Sequence, residues 1–344
     1  MSQTTLYGTP VSLYTGNEGR KRDQGRQELG LQEGRRGHAP HRPAPFVSAV
    51  SAVAWVVVLA FLSVGCNAAL DLSNSDPEDT TVVPAGTTVG GAPPLLSAFF
   101  GLDGGLGVLA RFLVCDGARG GDGMPVVFSQ ELDIESVQAG DFRVVLSDGR
   151  QGEVDCVTPA PANDIGEFRT ILMIGDFGSA AHQPVRVEVA GNILSEDGRS
   201  NFRGAQVDVV RLERGPSLVM AEIVPPEEWE IGKSATRFRF GGGSGCPDST
   251  RQVVRVVWNG GVTKPGGDEI DDSERAAYTV FLGGEGDGPA EVTPFAVGDL
   301  GDGDNNHELC LDTERPPIRV AFPAGLVTDP REDLNPATEV AVLR

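Results

Sequence analysis

The chain has 344 residues, enough for two or three domains, and its 46 glycines and 24 prolines indicate many turns. Its 28 lysines and arginines against 49 aspartates and glutamates give a net charge of −21 at pH 7. Because proteins bind nucleic acids chiefly through Lys and Arg that displace counterions from phosphates, this charge argues against DNA or RNA as a partner.

The first recognisable element is an export signal. Residues Phe46–Val64 are uncharged and mostly apolar, follow a basic segment and end at Gly65-Cys66, as in a secretory signal peptide. The letters LSVGC resemble the lipobox of bacterial lipoproteins, although that family prefers leucine where Ser63 stands. The resemblance implies that residues 1–65 are an N-terminal tail and lipoprotein signal peptide, and that Cys66 carries the lipid.

An uncleaved signal anchor is the alternative, because the same apolar run is long enough to cross a bilayer as a helix. Both interpretations place the basic flank inside and export the remainder of the chain. In lipoproteins, an Asp after the lipidated cysteine favours retention in the inner membrane, whereas this chain has Asn67. The resemblance therefore implies a cell-envelope protein attached to the membrane through its lipid anchor, in the outer membrane if the host is Gram-negative.

Residues 66–94 lack the composition of a folded domain. From Asn67 to Pro94 there is no Lys or Arg, and large apolar side chains are few. Such a segment cannot bury enough surface to offset the entropy lost on ordering. We therefore predict a lipid-anchored disordered tether that lifts the rest of the chain off the membrane.

From Leu95 onward, short stretches with a period of two predict β-strands separated by turns. Asp-Gly pairs at 148–149 and 197–198 suit tight hairpins, because glycine tolerates a positive φ. A single turn at residues 133–137 is the helical candidate. Several short strands at this spacing favour a β-sandwich over residues 95–213. The predicted strands are Phe142–Leu146, Thr170–Ile174, Val185–Val189 and Val207–Val209.

Two segments of this block resemble the bacterial Ig-like domain of S-layer and other envelope proteins. VFSQELD at residues 127–133 resembles an early strand of that family, and VEVAGNIL at 187–194 with Phe202 resembles its closing strands. Residues 96–123 depart from the family because they are longer and richer in glycine. The resemblance implies an Ig-like β-sandwich at 95–213 and says little about function, since this fold serves many roles.

Residues 214–344 show the same alternation and predict a second β-sandwich, Ig-like or related. The exported chain is therefore predicted to be all-β, with two sandwich domains behind the signal peptide and the tether. The strands predicted in the second block are Thr236–Phe240, Val253–Trp258, Tyr278–Leu282, Leu309–Leu311, Ile318–Phe322 and Glu339–Leu343.

Four cysteines remain once Cys66 is assigned to lipid. Outside the cytosol we expect them to form disulfides, and four cysteines can pair in three ways. One bridge in each domain is the simplest arrangement, which predicts Cys115–Cys156 and Cys246–Cys310. Without a C-x-x-C motif, neither redox catalysis nor a thiolate zinc site has support.

Motifs for catalysis are missing from the sequence. Beyond Cys66 the chain has two histidines, and a Ser-His-Asp triad would need one of them. His182 lies in a loop of small residues and is expected to be solvated. Gly232-Lys233-Ser234 resembles the end of a P-loop, but Glu227 stands where the motif requires glycine. We therefore predict no catalytic residues and no enzymatic activity.

An acidic segment at residues 299–312 is the candidate metal site. Asp302, Asp304 and Asn306 have the spacing that begins an EF-hand loop, and Glu308 follows them. Oxygen ligands of this kind suit Ca²⁺. The segment departs from an EF-hand, and a solvated acidic turn is the more economical interpretation in a chain rich in Asp and Gly. Structural calcium is the one cofactor that the sequence suggests.

The expected function is that of a membrane-anchored extracytoplasmic lipoprotein. It would act as a structural or binding module of the cell envelope, with a protein or an envelope polymer as its partner. The alternative is a secreted hydrolase or carbohydrate-active protein that uses acidic loop residues such as Asp302 and Glu308. A deep cleft lined by converging carboxylates and aromatic side chains would favour that alternative.

Overall fold

Regular secondary structure in this computed structural model is almost entirely β-strand. The structure describes residues 79–88, 91–106, 115, 118, 120–233, 243–284 and 290–343. The predicted signal peptide, Cys66, the first part of the tether and the predicted strand Thr236–Phe240 lie outside the described residues. The described residues all belong to one compact unit of the chain, residues 66–344. None of the helices in this part of the chain is long and apolar enough to span a membrane.

Seven strands form the first sheet, and it closes on itself. They are β1 (Leu95–Phe99), β2 (Asp122–Phe128), β3 (Phe142–Leu146), β4 (Gln151–Thr158), β5 (Thr170–Asp176), β6 (Pro184–Val189) and β7 (Gln206–Val210). They hydrogen-bond in the order β1-β2-β5-β4-β3-β6-β7. Because β1 also pairs in parallel with β7, the sheet forms a barrel.

Apolar side chains from alternate strand positions fill this barrel. In β3, Phe142 and Leu146 are buried whereas Arg143 is exposed. Phe128 packs edge-on against Phe142 and Phe202, with ring centroids 6.4 and 4.9 Å away. The period of two in the sequence thus arises because one face of such a strand lies on the core and the other meets solvent.

Eight strands form the second sheet. They are β8 (Leu218–Val224), β9 (Gln252–Trp258), β10 (Thr279–Leu282), β11 (Glu291–Val292), β12 (Ala296–Gly298), β13 (Asn306–Leu311), β14 (Pro317–Phe322) and β15 (Thr338–Leu343). Their order is β11-β10-β14-β15-β8-β9-β13-β12, with β8 and β15 parallel. A one-turn helix, α1 (Asp272–Arg275), precedes β10 and is capped by the side chain of Asp271.

The core of the second sheet contains a buried polar chain among its aromatic rings. The indole N–H of Trp258 donates to the Tyr278 hydroxyl at 3.0 Å, and that hydroxyl lies 2.8 Å from Nδ1 of His307. Burial lowers the pKa of His307 to about 3, so its ring is neutral. With the Tyr278 oxygen already accepting from Trp258, its O–H donates to the unprotonated Nδ1. His307 is therefore a packed core residue, whereas His182 is exposed, as predicted.

The second sheet repeats the strand path of the first. In both sheets the first strand pairs with the second strand and, in parallel, with the last one: β1 with β2 and β7, β8 with β9 and β15. The second strand then pairs with a later strand, β5 or β13. In the first sheet β3 also pairs with β4, which completes the ring. In the second sheet β10 and β12 occupy the places of β3 and β4. Among the described residues these two strands do not pair, so the second sheet is not closed in this way.

The prediction of an all-β chain is confirmed, and the chain forms two curled sheets. In the first sheet one hydrogen-bonded ring replaces the two separate layers of the predicted sandwich, because the β3–β4 hairpin joins them. Gly149 in this hairpin has a φ of 85°, as the predicted Asp-Gly turn requires. The predicted helical turn is a 3-10 turn at Ile134–Ser136.

Part of the predicted tether is bound to the first sheet. Asp79 accepts hydrogen bonds from the backbone N–H and the side-chain amide of Asn192, at 2.7 and 2.5 Å. Thr88 forms a parallel β-bridge with Ser200. The prediction of disorder is therefore wrong for this part of the tether. It considered only the apolar side chains of the segment, whereas these contacts are polar.

Two disulfides are present, and they join the pairs that the sequence predicts. Cys115–Cys156 reaches β4 of the first sheet, with a Cα–Cα distance of 6.6 Å. Cys246–Cys310 ties residue 246 to β13 of the second sheet, with a Cα–Cα distance of 5.8 Å. Each bridge therefore braces one of the two β regions.

Candidate functional site

The two sheets meet along β1, β2, β8 and β9, a region called the junction below. Val127, Met220 and Val257 form a buried apolar cluster there, with Leu96 and Val219 packed against it. Their neighbours along the strands face the two cores. Around this cluster β2 and β9 are buried on both faces, which is why three apolar residues follow one another at 126–128 and at 256–258.

Arg169, directly before β5, links the sheets on the polar side of the junction. Its Nη2 atom lies 3.3 Å from Oε1 of Glu131 in the first sheet and 2.8 Å from Oε1 of Glu222 in β8. The arginine side chain is 5% exposed. A guanidinium suits this place because its fork of donors can serve two carboxylates at once.

Arg255 makes a second link, from β9 to the β4–β5 loop. It donates from Nη1 to the carbonyl oxygen of Gly166 at 2.9 Å and from Nη2 to that of Ile165 at 3.1 Å. Its Nη2 atom also lies 3.2 Å from Oε1 of Glu308 in β13. Gly166 has a φ of 85°, and a Cβ atom there would collide with the guanidinium. The loop and the arginine are therefore fitted to each other.

Five carboxylates converge beside these arginines. Asp299, Asp302 and Asp304 come from the β12–β13 loop, and one oxygen of each lies within 4.8 Å of the others. The same holds for Asp164 and Glu167 of the β4–β5 loop together with Asp299. Since Asp299 belongs to both groups, loops from the two sheets meet in one set of carboxylates, called the acidic cluster below.

Local hydrogen bonds hold the β12–β13 loop in place. Gly303 has a φ of 77°, a conformation that glycine adopts readily. The Asp304 carboxylate accepts hydrogen bonds from the backbone N–H and the side-chain amide of Asn306, at 2.8 and 2.7 Å. The side-chain amide of Asn305 donates to the carbonyl oxygen of Trp258 at 2.7 Å. The loop is thus anchored to β9 and to the start of β13.

Burial governs the electrostatics of the acidic cluster. It raises the pKa of Asp299 and Asp304 well above the usual value, and repulsion from neighbouring carboxylates adds to the effect. Burial also raises the pKa of Glu167 and of Asp302. Because the charged forms are disfavoured, the cluster needs either protons or a cation to be stable.

The structure divides the four residues that the sequence suggests as calcium ligands. Asp302 and Asp304 lie in the acidic cluster. Asn306 is buried and donates to Asp304, so it orients that carboxylate. Glu308 is neutralised by Arg255, while burial raises its pKa to about 7. Asn306 therefore supports the cluster, and Glu308 pairs with arginine.

Three members of the cluster are missing from the predicted ligand set. Asp299 lies in the acidic segment that the sequence singles out. Asp164 and Glu167 are far away in the chain, and no local spacing connects them to it. The chain has 49 acidic residues, and Asp164 and Glu167 differ from the others only through the contact between the two sheets.

A cleft of about 210 Å³ lies at the junction, beside the cluster. Its walls are mainly apolar and glycine residues, with Phe99, Leu102 and Leu172 from the first sheet and Gly260 from the second. Asp304 is the one acidic residue among the described residues that line it. The carboxylates therefore do not converge on this cleft.

Comparison of the sequence with known protein families and with curated proteins gives no match. Among solved structures, the N-terminal part of the bacterial S-layer protein SbsC is similar to this chain with a TM-score of 0.24 and 10% identity, over 74% of the chain. The chain spans 44% of the length of that structure. This TM-score is too low to establish a common fold, so the similarity carries no inference about function.

Proposed function

We propose that this protein is a non-catalytic structural or binding module of the cell envelope, held at the membrane by lipid on Cys66. The observation that carries the proposal is the use of the buried charges at the junction. Arg169 and Arg255 bind acids and carbonyl groups of the opposite sheet, and the acidic cluster lies between loops of both sheets. Charges arranged in this way join two β units.

We further propose that both sheets are Ig-like. An Ig domain of the constant type has strands A, B, E and D in one layer and C, F and G in the other, and variable-type domains add C′ beside C. With β1 to β7 lettered A to G, the first sheet has the order A-B-E-D-C-F-G. In the second sheet β8 to β15 are lettered A, B, C, C′, D, E, F and G in chain order. Read from β12 to β11, that sheet has the order D-E-B-A-G-F-C-C′. The same path in both supports one ancestral domain type used twice.

The apolar cleft favours binding over hydrolysis. A glycoside hydrolase needs two carboxylates that face each other across the scissile bond. Asp304 is the single acidic lining residue among those described, and Glu308, the other residue of the hydrolase alternative, is paired with Arg255. A protein segment or an envelope polymer is therefore the expected partner.

Metabolic labelling with a fatty-acid analogue tests the anchor. The full-length chain, expressed in a bacterial host, should take up the label and lose residues 1–65, and its mature N-terminus should carry the lipid. Cys66→Ser should lose both the label and the cleavage. Ser75→Ala, a change in the same tether that keeps the thiol, is the control and should behave like the wild type.

Two results would contradict the proposal. An unlabelled wild-type protein that retains its first 65 residues would favour the uncleaved signal anchor. Release of products from purified peptidoglycan or polysaccharide by the purified chain, abolished by Glu308→Gln, would favour the hydrolase.

A further inference from the structure

The three aspartates of the β12–β13 loop differ from the glutamates of the junction in their partners. Glu131, Glu222 and Glu308 each lie within ion-pair distance of a buried arginine. In the described part of the chain, the aspartates of the β12–β13 loop have no such Lys or Arg. Buried anions without a counter-charge are costly, so something other than these arginines must neutralise the loop.

Two oxygens of the cluster are buried and unpaired. Oδ2 of Asp299 and Oδ2 of Asp302 have no hydrogen-bond partner among the described residues. The two residues are 5% and 3% exposed, so water does not solvate them freely. Nearly all buried polar atoms in proteins are hydrogen-bonded or bound to an ion. Orphaned carboxylate oxygens beside other carboxylates point to a bound cation.

A third observation concerns Glu167 and Asp299, which come from loops of different sheets. One carboxylate oxygen of each residue lies within 4.8 Å of the other. Two carboxylates at this distance repel each other when nothing positive lies between them. A cation bound by both oxygens would remove this repulsion and hold the two loops together.

We propose that one Ca²⁺ ion binds in the acidic cluster, coordinated by Asp299, Asp302 and Asp304 from the second sheet and by Glu167 and Asp164 from the first. The donors are all carboxylate oxygens, the ligands of a hard cation. Calcium accepts six to eight oxygens in irregular geometry, whereas Mg²⁺ requires a strict octahedron. Lys233, 3.4 Å from Asp164, and the nearby Arg255 offset part of the remaining negative charge.

The ion joins the β4–β5 loop to the β12–β13 loop and thereby stabilises the junction. This assigns different roles to two residues that the sequence suggests as ligands, because Asn306 orients Asp304 and Glu308 neutralises Arg255. The inference goes beyond the proposed envelope function and does not depend on lipid at Cys66.

Equilibrium dialysis with radioactive calcium and thermal unfolding test the site on the full chain in detergent. We expect one bound Ca²⁺ per chain. A hundredfold excess of calcium over its Kd should raise Tm by about 5–10 °C relative to chelator. Mg²⁺ at equal ionic strength, which controls for charge screening, should give a clearly smaller shift.

Asparagine variants distinguish a calcium ligand from a residue that only stabilises the fold. A ligand variant should bind calcium more weakly and yet be more stable in chelator. Asp302→Asn should weaken calcium binding at least about tenfold, since it removes a charged ligand. The same variant should raise Tm in chelator, because one repelling charge is gone. Asp164→Asn, at the partly exposed rim and 3.4 Å from Lys233, is a second variant that should weaken calcium binding less than Asp302→Asn does. Asp268→Asn in an exposed loop is the control and should change neither quantity.

Three outcomes would overturn the proposal. They are no rise of Tm with calcium, equal shifts with Ca²⁺ and Mg²⁺, and a variant Asp302→Asn that binds calcium as well as the wild type. If an arginine from outside the described residues neutralised the acidic cluster, Tm would not rise with calcium. Cys66→Ser should leave calcium binding intact, so a failed lipid anchor and a failed calcium site are distinguishable.

Discussion

Strands at the junction use their outer faces differently from strands away from it. In β3 of the first sheet, the side chains that point away from the barrel core are exposed or half-buried. At the junction β2, β9 and β13 are buried on both faces, and Arg255, Asn306 and Glu308 occupy the face of the second sheet opposite its core. The β4–β5 loop of the first sheet covers this face. A covered sheet face thus carries matched charges, which makes the junction between the two sheets sensitive to charge and to cations.

The largest effect is expected from Arg255→Met, which breaks the junction on the side of the second sheet. The arginine is 2% exposed and neutralises Glu308 while it holds two loop carbonyl groups. Its loss leaves a buried carboxylate unpaired, which costs about 3–5 kcal/mol. Urea unfolding at pH 8 measures the change in the free energy of unfolding.

Two further variants make this test specific. Arg143→Met removes an exposed partner of Glu188 in the first sheet, at 3.4 Å, and should cost less than about 1 kcal/mol. Adding Glu308→Gln to Arg255→Met should recover much of the loss, because the unpaired charge is then gone. A cost at Arg255 no larger than at Arg143 would show that the junction does not depend on this arginine.

Much of the fold could be predicted because most strands have one solvated face. The alternation in β6 and β7 marks them directly, and the predicted bounds agree within a few residues. The prediction begins β13 at Leu309, three residues late, because Asn306, His307 and Glu308 are polar and look like a loop. Their burial depends on contacts with β9, the core and the first sheet, which no local pattern records.

The candidate site was predictable to a smaller extent. The acidic segment around Asp302 and Asp304 stands out by its composition, and both residues lie in the cluster. Asp164 and Glu167 reach the cluster only because the first sheet packs against the second. The path of the β12–β13 loop also decides which oxygens converge, and spacing along the chain does not record that path.

A buried carboxylate in the first sheet gives the next largest effect. Asp141 is 1% exposed, and burial, with a contribution from Asp79, raises its pKa to about 7 from 3.8. A raised pKa means that the folded state binds the proton more tightly. The associated stability is therefore complete below about pH 4 and is lost as the pH rises through 7.

Asp141→Asn should remove this pH dependence. The variant should be more stable than the wild type by about 2–3 kcal/mol at pH 8 and similar to it at pH 4. Urea unfolding in chelator at both pH values measures the difference without calcium. Asp208→Asn in β7 makes the same change at an exposed position and should leave the slope unchanged. An unaltered slope in Asp141→Asn would mean that other groups set the pH dependence.

The smallest effect is expected inside the core of the second sheet, where Tyr278→Phe keeps the ring but removes the hydroxyl. The ring packing against Phe322, at 4.6 Å between centroids, should persist. The Trp258 N–H then loses its acceptor and Nδ1 of His307 its partner, so we expect a cost of about 1–2 kcal/mol. Because His307 is neutral, with a pKa lowered to about 3, this cost should be equal at pH 5 and pH 8, unlike the effect of Asp141→Asn. Unfolding followed by Trp fluorescence at both pH values checks this, and a cost that appears at only one of them would show that the chain of hydrogen bonds contains a charged histidine.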